Sequence, residues 1–65
     1  MIKVDVTKNE KNETATIQFE SRTTDQDSLD ELDSLYEILM KSMSRTVIKA
    51  GYDNSSRFSI LLGYK

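Results

Sequence analysis

Between Ser28 and Ala50 the large aliphatic side chains recur every three or four residues, and this spacing constrains the fold more than any other feature. At ~100° per residue, Leu29, Leu32, Leu35, Tyr36, Leu39, Met40, Met43, Thr46, Val47 and Ala50 share one broad stripe. Asp30, Glu31, Glu37, Lys41, Arg45 and Lys49 fall on the opposite side, and Asp33 lies at the edge. The stripe predicts one continuous amphipathic helix over Ser28–Ala50. Ser28-Leu29-Asp30-Glu31 has the form of a capping box, in which the Ser28 hydroxyl and the Glu31 carboxylate satisfy helix-start amides. Acidic residues crowd the first turns and basic ones the last, as the helix dipole favours. Gly51 then stands where a left-handed C′ residue is wanted. Arg45–Ala50 is also β-branched enough to form a strand, turning through Gly51–Ser56 into the next one. The unbroken stripe favours the helix.

Two alternating runs precede this stretch. Ile2, Val4 and Val6 share one strand face. After the polar, turn-prone segment Thr7–Asn12, Ala15, Ile17 and Phe19 point one way, and Thr14, Thr16, Gln18 and Glu20 the other. Together they predict a β-hairpin with one wet face. Beyond the helix, Tyr52–Ser56 reads as a loop, and Phe58, Ile60 and Leu62 mark a further strand in Arg57–Gly63. The expected fold is therefore α+β: a two-layer β-β-α-β sandwich with a three-stranded antiparallel sheet, order 2-1-3, packed on one long helix. The strand after the helix is placed parallel to the second and antiparallel to the first. A helix of ~33 Å at 1.5 Å per residue would overhang strands of ~17–24 Å.

At 65 residues the chain is expected to be one domain with a thin core. It contains no cysteine and no histidine, which excludes disulfides and thiolate or imidazole metal sites. The commonest catalytic nucleophiles and bases are also missing, so no enzyme activity and no cofactor are expected. Its apolar runs are too short to span a membrane, and Met1–Asp5 lacks the start of a signal peptide, so a cytoplasmic location is expected.

Charge is unevenly distributed. Residues 1–37 hold four basic and ten acidic side chains, whereas residues 38–65 hold five basic and one acidic. Asp25, Asp27, Asp30, Glu31 and Asp33 lack the glycine and terminal glutamate of an EF-hand, so they read as an acidic helix cap rather than a metal site. Spaced along a helix start, such carboxylates can imitate a run of phosphates, and Asp27, Asp30, Glu31, Asp33 and Glu37 are the expected partner-binding residues. In size and composition the chain resembles small acidic phage-encoded α/β proteins. That likeness implies an accessory or inhibitory role and transfers no residue. The alternative is nucleic-acid binding along a helical stripe of Lys41, Arg45 and Lys49, with Arg57 and Lys65 nearby. A third expectation is a homo-oligomer. Ile38, Ile48 and Leu61 lie outside the expected core faces, and a small domain without staples gains core by self-association.

Overall fold

The computed structural model describes Met1–Tyr64. Its elements run β1 (Ile2–Asn9), β2 (Thr14–Ser21), α1 (Gln26–Ser42), β3 (Val47–Asn54) and β4 (Arg57–Gly63). The fold is α+β, with one helix against a four-stranded sheet of order β1-β2-β4-β3 in which all neighbours are antiparallel. The expected three strands in order 2-1-3 are thus corrected. The expected third strand, Arg57–Gly63, is β4 and runs antiparallel to β2 rather than parallel to it, because an additional strand, β3, returns first from the helix and runs parallel to β2. β3 turns back through Ser55 and Ser56, and β4 inserts between it and β2. The turn is held by Asn54, whose Oδ1 accepts both the Ser56 amide and hydroxyl at 2.9 Å.

The helix is shorter than its stripe, and its N-cap lies three residues before the expected one. Asp25 is the N-cap, with extended backbone, and its Oδ1 accepts the Ser28 amide at 2.8 Å. Thr23 Oγ1 donates to Asp25 Oδ2 at 2.9 Å and lies 2.9 Å from Ser28 Oγ. Ser28 therefore sits inside the first turn, and the Ser28/Glu31 box does not start the helix. A carboxylate accepts more strongly than a hydroxyl, and Thr23 fixes its orientation, so the earlier residue takes the role. These hydrogen bonds, first the one from the Ser28 amide, hold the Asp25 carboxyl below its ordinary range.

At the other end the Met43 carbonyl accepts the Thr46 amide at 2.9 Å, the Val47 amide at 3.1 Å and the Thr46 hydroxyl at 3.0 Å. That clustering turns the chain where Ser42, Ser44 and Thr46 disfavour continuation. The stretch from Val47 is strand, so the continuous helix to Ala50 is corrected. Gly51 sits within β3 and has no positive φ, so it is not a left-handed cap. The 17-residue helix spans ~26 Å, and eight-residue strands ~27 Å. The expected overhang disappears, along with the argument for a partner that rested on it.

One sheet face carries the core. Leu32, Phe58 and Ile60 are fully buried, with Phe19 close behind, and Ile2, Ile17, Leu35, Tyr36, Leu39, Val47, Ala50 and Leu62 pack around them. Phe58 is the centre of an aromatic group. Its ring stacks on Phe19 at 4.7 Å, meets Tyr36 edge-on at 4.9 Å and lies 5.6 Å from Tyr52. The buried Ser21 hydroxyl is satisfied by the Thr23 carbonyl at 2.7 Å. The opposite sheet face is open. It carries Lys3, Asp5 and Thr7 from β1, Thr16, Gln18 and Glu20 from β2, and Ser59 and Leu61 from β4, as the pairings place them. There the Arg57 Nε, itself buried, lies 3.3 Å from Asp53 Oδ2, an ion pair without hydrogen-bond alignment.

Candidate functional site

The acidic helix residues Asp27, Asp30, Glu31, Asp33 and Glu37 are all exposed. Helical geometry divides them between two flanks. Asp30, Asp33 and Glu37 lie on the flank above β3, fixed there by a hydrogen bond from the Tyr52 hydroxyl to Asp33 Oδ1. Asp27 and Glu31 lie on the other flank, toward β1. Asp30 is further held by Gln26, whose Nε2 donates to Asp30 Oδ1 at 2.8 Å. Among the described residues, the ion pairs are Lys3–Asp5, Lys8–Glu10 and Arg57–Asp53, so none of the five helix carboxylates has a cation within ion-pair distance. Nor do carboxylates among the described residues converge on a point where a metal ion could be held.

An aromatic wall borders the β3 flank. Tyr36 and Tyr52 are 5.0 Å apart, and Tyr52 remains 41% exposed. Partial burial, then the hydrogen bond to Asp33 and its charge, push the Tyr52 hydroxyl well above its ordinary range, so it stays a donor. The surface thus presents carboxylates beside the face of a phenol ring, an arrangement suited to ammonium or guanidinium groups. Tyr52 lies in a strand and not in the loop expected at Tyr52–Ser56. The signal for that strand is present in the sequence: Ala50 and Tyr52 alternate, and Asp53-Asn54-Ser55-Ser56 is a run of turn formers.

The residues of the other two expected sites are not brought together. Lys41 lies in the helix, Arg45 in the turn after it and Lys49 in β3, so no helical stripe of three exists. Lys41 and Arg45 do line a shallow depression of about 330 Å³ with Ser42, Met43, Ser44 and Thr46, and Lys49 takes no part in it. Lys65 lies outside the described residues. Ile48 is the extra residue of a β-bulge, and its Cδ1 would lie 3.5 Å from a Cβ placed on Gly63. It therefore joins Leu61 on the open sheet face, whereas Ile38 stands on the helix flank toward β1, on the other side of the molecule. Ile38 and Ile48 are both exposed, but no single surface patch contains all three residues.

Among the described residues no helix is long and apolar enough to cross a membrane. No protein-family model, curated protein or solved structure matches the chain.

Proposed function

We propose that this protein is a non-enzymatic, cytoplasmic binding module whose acidic helix occupies a basic surface on another protein, and so blocks or recruits that partner without chemistry of its own. The observation that carries this reading is the set of helix carboxylates with no cation of the described residues within ion-pair distance, flanked by the exposed ring of Tyr52. Carboxylates arrayed on a helix present charge from an already ordered backbone, which favours rapid, salt-dependent encounter with a basic partner. A lysine or arginine seated between Asp33, Glu37 and Tyr52 would gain both ion pairing and a ring face. The absence of His and Cys supports a role without catalysis.

The experiment is capture from source-cell lysate by the parent protein and by a variant carrying D27N, D30N, E31Q and E37Q, at low and high salt. Asp33 is kept because it holds Tyr52. A protein retained by the parent at low salt, and lost both in the variant and at high salt, is the expected result. Retention of the same proteins by parent and variant would remove the helix from the interface. Capture of nucleic acid in place of protein would revive the reading based on Lys41 and Arg45.

A further inference from the structure

We propose that β1 is a self-pairing edge: two copies join antiparallel through β1, with Val4 on the two-fold axis and Lys3 of each copy opposite Asp5 of the other. This surface is distinct from the acidic helix and independent of its role.

The sheet order leaves β1 and β3 as edges, and the two are not alike. β3 is interrupted by register shifts at Val47/Lys49 and at Tyr52/Asn54, and such bulges protect an edge from further pairing. β1 runs against β2 over its whole length, Ile2–Asn9, without a shift. It is the regular, unguarded edge.

Which backbone groups it offers follows from the ladder. The Ser21 amide donates to Ser56, on the β4 side, and the Arg22 amide donates to Met1. Antiparallel ladders alternate, so Lys3, Asp5 and Thr7 exchange bonds with β2, while Ile2, Val4, Val6 and Lys8 aim their N–H and C=O groups outward. Those outward residues also carry the side chains on the helix side of the sheet. The helix packs on β2 rather than on β1 and leaves this edge uncovered, so Val4 is 51% and Val6 64% exposed. One strand thus shows a free hydrogen-bonding row and a bare aliphatic row together.

The side chains select the partner. Residues directly opposite in an antiparallel pair share a face, so even positions must oppose even ones. With Val4 on the axis, Ile2 meets Val6, Val4 meets Val4, and Lys3 meets Asp5 on both sides. Sliding one step either way sets Asp5 against Asp5 or Lys3 against Lys3. Only the Val4-centred register pairs Ile2, Val4 and Val6 with one another and Lys3 with Asp5, and a two-fold repeats each match. The area is small for a stable interface, so the dimer forms and dissociates readily.

Sedimentation across a concentration series reaching millimolar, with the full chain, tests this. The parent should show a reversible monomer–dimer equilibrium. K3D and D5K each place like charges opposite one another in the proposed register, and each should weaken self-association about tenfold or more. Both side chains are largely exposed, so folding should survive, which circular dichroism checks. An equimolar mixture of K3D and D5K restores both pairs and should dimerise like the parent. Amide exchange gives a second readout: Val4 and Val6 should gain protection as concentration rises, whereas Lys3 and Asp5 are protected throughout. A parent that stays monomeric would overturn the proposal, and so would single variants that associate as well as the parent. Association of the parent without rescue in the mixture would overturn the register and the edge alike.

Discussion

Replacing Phe58 with leucine probes what holds this small core together. Phe58 is fully buried and its ring meets those of Phe19, Tyr36 and Tyr52 at 4.7, 4.9 and 5.6 Å. Leucine keeps a large aliphatic group in the site and removes all three ring–ring contacts. Aromatic pairs contribute ~0.5–1.5 kcal/mol beyond their area, and the Tyr52 contact is the longest, so the two short ones should dominate. Adding the smaller side-chain volume, the loss should be ~2–4 kcal/mol. A domain of this length has a total stability of only ~3–10 kcal/mol, so the variant should stand near the limit of folding. Ile60 supplies the internal control. It is equally buried but brings no ring of its own, so Ile60→Val should cost ~0.5–1.5 kcal/mol. Urea unfolding followed by far-UV circular dichroism measures both. At ~4–8 °C per kcal/mol, the melting points of the two variants should be separated widely enough to resolve. If Phe58→Leu costs no more than Ile60→Val, the aromatic group fills space without adding specific energy, and the reasoning fails.

Three further outcomes are expected. Asp25→Ala should lower the urea midpoint and shorten the helix, because the Ser28 amide loses its acceptor; since the Asp25 carboxyl lies below its ordinary 3.8, its contribution is present above that pH and is lost as pH falls through the folded value, so an acid titration of Asp25→Asn should be flatter than that of the parent. Tyr52 titrates above its ordinary 10.0 in the folded chain, so its contribution is complete below about pH 10 and fades as pH rises further; Tyr52→Phe should remove that alkaline loss, and an unchanged alkaline limb in pH-dependent unfolding would refute the Asp33 bond. Gly51→Val should be neutral or stabilising by up to ~1 kcal/mol, because an added Cβ meets nothing within 4 Å and the backbone is extended; a clear loss in the unfolding midpoint would return Gly51 to the left-handed helix cap that its sequence position suggests.

The misplaced helix end has a specific physical origin. Val47 and Ala50 are three residues apart, a spacing that shares a face on a helix and opposes faces on a regular strand. In β3 the bulge at Ile48 inserts one residue, so Val47 opposite Leu62 and Ala50 opposite Ile60 both face the core. A bulged strand thereby imitates helical periodicity, and the stripe runs on across Met43 without a visible break. The expected sheet order fails for the same reason, because a missing strand reverses the direction of the one after it. β1, β2 and β4 are legible because they alternate cleanly and two of them bury one face. The helix start is displaced because two nearby polar residues can cap it, and only the geometry around Thr23 distinguishes Asp25 from Ser28. Of the candidate site, the carboxylates are legible as charge alone. The ring beside them is not, since Tyr52 joins the site across the sheet edge rather than along the helix.

The position of β4 has a consequence for how the chain comes to be folded. β4 lies between β2 and β3 and carries Phe58 and Ile60, yet it comes after both of them in synthesis. Until it leaves the ribosomal tunnel, β2 has an unfilled inner edge, β3 has no neighbour, and α1 has only Phe19 and its surroundings to rest on. The β1–β2 hairpin and the helix can form early as local structure, but a lone hairpin is at best marginally stable in water. Cooperative folding must therefore wait for β4. Through that interval the nascent chain displays its aliphatic residues to its surroundings, where its many carboxylates are what keeps it from adhering to its neighbours.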